Sequence, residues 1–292
     1  MQSLRGIVLV VFSMAAFALE DALIKDLTSR QPIGQVILTL GFGGALIFFA
    51  IAGDSGRVWI LRALAVPQVL VRTVAEAASA ATFVTALSLV PISTVAAVFQ
   101  ATPLAVAAGA ALFFGERVGW RRWTAIVVGF AGVLLIIRPG LDGFRPEAML
   151  VLLTVVSIAL RDLVTRRVPP EVPSVAIAFH GFFALVLTGA LILAFTGAPV
   201  RPAMPDLARL GAAVLFGTSG YYAIVAAMRL SDASILMPFR YARLIFSLII
   251  GVTVFSERPD ALTLTGAGVI LAAAFYTYLR ERKLALTNAS AE

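Results

Sequence analysis

Ten apolar stretches follow one another along the chain, at about 4–24, 33–53, 67–90, 92–114, 120–138, 147–165, 173–197, 206–228, 233–255 and 261–279. A helix of about 20 residues crosses the hydrocarbon core of a bilayer, so each stretch is long enough to span. The breaks carry turn and charge signals, among them "GDSGR" at 53–57, "RPGLDGFRPE" at 138–147 and "RRVPPEVP" at 166–173. None has room for a soluble domain. Composition agrees: 60% of the 292 residues are hydrophobic and 13% charged, against about 25% charged in a typical soluble domain. The expected fold class is therefore an all-α polytopic membrane protein of ten transmembrane helices, with the lipid bilayer as its surroundings.

The same counts exclude other classes. The net charge of +7 fits basic loop ends at a membrane; no basic stretch interleaved with aromatics argues for nucleic acid. There is no Cys and a single His, so no disulfide, metal site or cofactor is expected. No GxxxxGK[ST] loop for a nucleotide occurs. Residues 1–18, with Arg5 and "AFA" at 16–18, have the outline of a signal peptide. The repeat below gives this segment a structural counterpart, so it reads as the first helix.

Self-similarity constrains the arrangement further. "ALEDALIK" at 18–25 matches "ALRDLVTR" at 159–166, an offset of 141 residues. At the same offset Pro32 meets Pro173, Phe42 meets Phe183, Gly56 meets Gly197, Ala86 and Leu89 meet Ala227 and Leu230, and Ser93 meets Ser234. "FFGER" at 113–117 then meets "VFSER" at 254–258. The expected domains are a first five-helix repeat over 1–140, a second over 141–283 and a polar tail over 284–292. An odd number of crossings inverts the second copy. Inverted-topology repeats accompany alternating access in secondary transporters, with the substrate near the midplane between the copies; duplication kept for packing alone is the competing reading. With the N-terminus in the cytoplasm, twelve Lys and Arg flank the inner side and seven the outer. That bias places both termini in the cytoplasm.

Two five-helix units, each with Gly/Ser-Glu-Arg after its fourth helix, resemble the drug/metabolite transporter superfamily in its two-repeat, EamA-type form. The stretches that carry the likeness are "ATPLAVAAGAALFFGERVGWRRWTAIVVGFAGVLLIIRPG" from Ala101 and "MPFRYARLIFSLIIGVTVFSERPDALTLTGAGVI" from Met237. The resemblance covers nearly the whole chain. It implies ten helices, a central cavity, no ATPase domain and a small-molecule substrate. It does not specify that substrate, since the superfamily includes amino-acid and metabolite exporters and carriers that take up riboflavin or S-adenosylmethionine.

Ionisable residues inside apolar stretches are costly and mark function by default. Arg240 and Arg243 interrupt 233–255 near its middle, and their repeat counterparts are Phe99 and Thr102. The scaffold thus does not demand arginine there. A guanidinium fork matches a carboxylate bidentately, so both are expected to contact a carboxylate-bearing substrate. A permanent bridge to Glu76 or Asp162 is the alternative. Pro238 and Pro103 each remove a helix donor nearby. Gln100 and its counterpart Tyr241 are polar groups at mid-depth, and Tyr221 and Tyr222 are candidates for a binding wall. Proton-coupling or gating candidates are Glu76, His180, Asp21, Asp162 and Arg161. Asp21–Lys25 and Arg72–Glu76 are spaced to satisfy themselves at i,i+4, and His180 has the alternative of a hydrogen-bonded packing role. The glycines of "GFGG" at 41–44 and "GFAG" at 129–132 are expected at close helix contacts.

The expectation is a secondary carrier in a bacterial inner membrane that exports amino-acid-like, carboxylate-bearing metabolites, with proton exchange as a coupling option. Uptake of riboflavin or S-adenosylmethionine is the runner-up. An intramembrane enzyme would need a catalytic set such as HExxH, which is absent. A channel would need a lined pore in place of paired halves. A monomer suffices for either carrier reading.

Overall fold

The computed structural model describes residues 2–115, 119–140, 145–197, 199–230 and 233–289. Among them all regular structure is helical, with no strand. The helices are α1 (Gln2–Thr28), α2 (Ile33–Ile51), α3 (Gly53–Arg62), α4 (Pro67–Leu89), α5 (Ile92–Phe99), α6 (Thr102–Phe114), α7 (Trp120–Ile137), α8 (Met149–Thr165), α9 (Ser174–Thr196), α10 (Met204–Leu230), α11 (Ala233–Arg240), α12 (Ala242–Thr253) and α13 (Ala261–Ala289). Proline sets several starts: Pro32, Pro91 and Pro173 precede α2, α5 and α9, and Pro67 opens α4. A fixed φ and a missing N–H cost nothing where the first helical donors lack partners anyway.

Among the described residues nine helical stretches are long and apolar enough to cross a membrane. The protein is a multi-pass membrane protein. The stretch 233–255, expected as a further span, forms two shorter helices, α11 and α12, with a turn at Tyr241. Its counterpart over 92–114 is also two helices, α5 and α6, with a turn at Gln100 and Ala101. The two breaks fall at equivalent positions, since Gln100 and Tyr241 are related by the repeat offset. Helix α3 lies between two of the apolar stretches and begins in the "GDSGR" break at 53–57. Asp54 in its first turn and Arg62 in its last complement the helix dipole.

The chain divides into two compact units, each drawing on both halves of the sequence. One comprises Met1–Ala18, Pro91–Pro146 and Ser219–Glu292; the other comprises Leu19–Val90 and Glu147–Thr218. In the first, α7 packs on α13. A Cβ added at Gly132 would lie 2.9 Å from the Gly266 carbonyl oxygen, and one at Gly129 would meet Ala273 at 3.4 Å. In the second, α2 packs on α9, and a Cβ at Gly34 would lie 2.5 Å from the Leu193 amide nitrogen and one at Gly41 2.5 Å from that of Val186. Numbering rises on one helix as it falls on the other, so both pairs are antiparallel. Each pair joins helices related by the offset of 141. The inverted relation between the repeats is therefore visible inside each unit, and bare glycine surfaces let the backbones touch.

Candidate functional site

In the first unit the site grows from the two helix breaks. Pro103 has no N–H to donate to the Phe99 carbonyl one turn back. The Thr102 hydroxyl donates to that oxygen instead, at 2.6 Å. The chain crosses the break with bonds of tighter pitch, from the Gln100 amide to the Ala97 carbonyl (3.2 Å) and from the Ala101 amide to the Val98 carbonyl (3.0 Å). The Gln100 side chain is buried there, and its Nε2 has no hydrogen-bond partner. At the second break the Tyr241 amide donates to the Pro238 carbonyl at 3.4 Å.

Arg243 lies two residues past that break. Its guanidinium carbon sits 4.8 Å from the centroid of the Phe99 ring and 5.4 Å from that of Phe17. The contact brings the broken segment of one repeat against that of the other. Aromatic rings hold a cation by their quadrupoles without neutralising its charge. Arg240 is exposed and Tyr241 partly buried. On α10, Tyr221 is partly buried and Tyr222 exposed. Ser247, one turn beyond Arg243, is fully buried with an unpartnered hydroxyl; the sequence reading did not single it out. Phe17 was also missed, and a lone phenylalanine in an apolar helix carries no signal to find it by.

The second unit holds a separate charge cluster. Arg161 on α8 donates through Nη1 to both oxygens of Glu76 on α4, at 3.1 and 3.3 Å, and reaches Asp162 through Nε (2.9 Å) and Nη2 (2.8 Å). Arg72 on α4 is buried, lies 3.5 Å from Glu76 Oε2, and donates to the Thr165 hydroxyl and the Ile177 carbonyl at 3.1 and 3.3 Å. Two cations and two anions thus meet between α4 and α8, and α9 adds the Ile177 carbonyl. Glu76, expected as a partner for Arg240 or Arg243 in one reading, is engaged by Arg161 and Arg72. Gly181 makes room for the cluster: a Cβ there would stand 3.5 Å from Arg72 Nη1 and 3.8 Å from Glu76 Oε2. Beside it, His180 is buried and its Nε2–H donates to the Ile60 carbonyl at 2.9 Å, with Nδ1 unpartnered. Asp21 is buried as well. Lys25, spaced to pair with Asp21, also donates to the Leu87 and Val90 carbonyls at 3.0 and 2.6 Å and so closes the end of α4. No group of His, Cys, Asp and Glu among the described residues is arranged to hold a metal ion.

The offset exposes an asymmetry. The counterparts of Arg161 and Glu76 are Glu20 and Gly217. Glu20 does pack on Gly217, so closely that a Cβ at 217 would overlap its carboxylate. Where Arg161 meets Glu76 in one copy, Glu20 lies against Gly217 in the other.

Two matched breaks, mate-on-mate helix packing and internal duplication are characters of the whole chain. A profile of the EamA-like transporter family matches it twice, over residues 4–138 and 145–279. The chain belongs to the EamA-like transporter family. Among its relatives, a protein of Rickettsia bellii named as an S-adenosylmethionine uptake transporter is 28% identical over 68% of this chain and 67% of its own length. A pseudopaline exporter of Pseudomonas aeruginosa is 25% identical over 95% of this chain and 97% of its own. A riboflavin transporter of Rhizobium johnstonii is 30% identical over 73% of this chain and 70% of its own. A solved crystal structure, 21% identical, superposes with a TM-score of 0.60 over 97% of this chain and 98% of that one, a likeness of fold. This EamA-family chain is thus a transporter of the metabolite class, and each of its two matched segments contains one of the breaks.

Proposed function

We propose that the protein is a secondary carrier of a bacterial inner membrane that exports small, amino-acid-like metabolites bearing a carboxylate. Alternating access of the inverted repeats moves the substrate, with protons as the counter-ion and both termini in the cytoplasm. Arg243 and Arg240 receive the carboxylate, while Gln100, Tyr241, Tyr221 and Tyr222 line the path. Glu76, Asp162, Arg161, Asp21 and His180 serve gating or proton coupling. The observation that carries the reading is the placement of Arg243 at the second of two matched helix breaks, over the rings of Phe17 and Phe99. Discontinuous helices create such substrate sites in inverted-repeat carriers, and a guanidinium fork matches a carboxylate bidentately.

The similarity to the Rickettsia bellii protein favours a second reading, uptake of S-adenosylmethionine. That compound also carries an amino-acid carboxylate, so the same arginine serves both directions. Riboflavin has no carboxylate and would make Arg243 dispensable. A screen in inverted and right-side-out vesicles, with labelled amino acids, S-adenosylmethionine and riboflavin, with and without a pH gradient, separates the three. Arg243→Ala is expected to reduce transport of a carboxylate substrate about tenfold or more, the equivalent of one charge-assisted hydrogen bond, at unchanged protein level. Undiminished transport by this variant would remove the carboxylate assignment.

A further inference from the structure

Glu257 belongs to the Ser-Glu-Arg block that the duplication brought to light, and the carrier reading makes no use of it. Its carboxylate lies at the start of α5. It accepts hydrogen bonds from the Ile92 amide at 2.6 Å, the Ser93 amide at 3.0 Å and the Ser93 hydroxyl at 2.6 Å. The first amides of a helix have no partner within it. Pro91 occupies the cap position of α5 and makes no side-chain cap bond. Glu257 supplies from a distant part of the sequence what Pro91 cannot, and its negative charge suits the positive end of the helix dipole.

The end of α12 is shaped for this reach. Gly251 leaves the needed gap, because a Cβ there would stand 2.7 Å from Glu257 Oε2 and 3.2 Å from Ile92 Cγ2. Ser256 takes a left-handed conformation, φ 52°, which turns the chain back; its counterpart Gly115 has φ 65°. The Glu257 amide closes the turn on the Gly251 carbonyl at 2.9 Å. The carboxylate therefore bonds to α5 from a turn anchored on α12.

We infer that Glu257 is a positioning residue that fastens the N-terminus of α5 to the C-terminal end of α12. The broken segments of the two repeats are then joined at two levels, by Glu257 at the end and by Arg243 over Phe99 in the middle. They move as one body, and the break at Gln100 is carried with them. The inference concerns this joint alone and holds whatever the substrate proves to be.

The chain has no native cysteine, so spin labels at Thr94→Cys on α5 and Val252→Cys on α12 report their separation in the full-length protein in liposomes. The parent is expected to give a narrow distance distribution and Glu257→Ala a broad one. Ser93→Ala, which removes only the hydroxyl bond, should fall between, and Ser93→Thr should restore the parent's width. Ser93→Ala added to Glu257→Ala should broaden nothing further, the non-additivity expected of a shared contact. Arg258→Ala, next to the joint but outside it, should leave the distribution narrow. The inference is overturned if Glu257→Ala keeps the parent's distribution, or if Arg258→Ala broadens it equally, which would make the effect a general loosening of the turn. Should Glu257→Ala not be recovered from membranes, the comparison of Ser93→Ala with Ser93→Thr decides on the same criterion.

Discussion

Glu76 shows how much a single side chain in this protein depends on its neighbours. It faces Arg161 and Arg72 inside one compact unit, largely shielded from solvent. Removing one member of such a pair leaves the others buried and unbalanced, at a cost of about 3 kcal/mol. Glu76→Ala should therefore lower the melting temperature of purified protein markedly. Arg161→Met in the same background should restore part of the loss, since neutral surroundings then replace an orphaned cation. Simple addition of the two single effects would argue against a shared contact. Asp260 illustrates the opposite setting, outside the spans and half exposed. Its carboxylate pairs with Arg138 at the end of α7 and accepts the Thr263 amide at 2.9 Å, capping α13. The hydrogen bond from Arg138, followed by that from Thr263, holds its pKa well below the ordinary carboxylate range. A depressed folded value means that this contribution is complete above the unfolded pKa, about 3.9, and is lost as pH falls below it. Fluorescence of Trp120 and Trp123 on α7, followed during acid titration, should show α7 loosening at a higher pH in Asp260→Asn than in the parent.

At the scale of elements, the two broken helices are the feature that sequence periodicity shows least well. Both stretches read as continuous apolar runs, and Pro103 and Pro238 announced only a missing donor. That Thr102 turns its hydroxyl onto the Phe99 carbonyl is a three-dimensional fact. If the hydroxyl replaces the donor that Pro103 lacks, Thr102→Val should cost about 1 kcal/mol in the parent and almost nothing alongside Pro103→Ala, where the alanine amide can serve the carbonyl. Thermal melts of the four proteins test this cycle, and equal costs in both backgrounds would reject the substitution of one donor for the other. The glycine contacts were legible, because closely spaced small residues in a membrane helix have few uses other than backbone approach. Gly41, Gly43 and Gly44 in α2, and Gly129 and Gly132 in α7, all lie against neighbouring helices. Helix α3 was illegible because its segment, rich in Gly and charge, has the composition of a turn.

At the scale of the whole molecule, the offset of 141 residues carried most of what could be read. It aligned Asp21 with Asp162 and Ser93 with Ser234, and it set Arg240 and Arg243 against Phe99 and Thr102. What it could not convey was which charges meet, because pairing across helices depends on rotation and depth that spacing alone leaves open. Arg161 with Glu76 is one of several pairings open to the charges inside apolar stretches, and Glu257 lies in a break where spacing marks no partner. If the packing of α2 on α9 and of α7 on α13 holds the repeats together, residues 1–140 and 141–292 expressed as separate chains should co-purify from the membrane. Recovery of each half alone would show that the covalent link is what keeps them together. Reporter fusions at the C-terminus should read cytoplasmic, as the distribution of Lys and Arg implies.

The contact of each helix with its own counterpart has a bearing on descent. A contact between equivalent segments is isologous, the kind made by two copies of one protein about a two-fold axis. A five-helix ancestor able to insert in either direction would have made the α2–α9 and α7–α13 contacts as a homodimer. In such a dimer a change at one position appears in both subunits at once. Only after duplication could phenylalanine stand at 99 while arginine stood at 240, or glycine at 217 face an acid while glutamate at 76 faced a base.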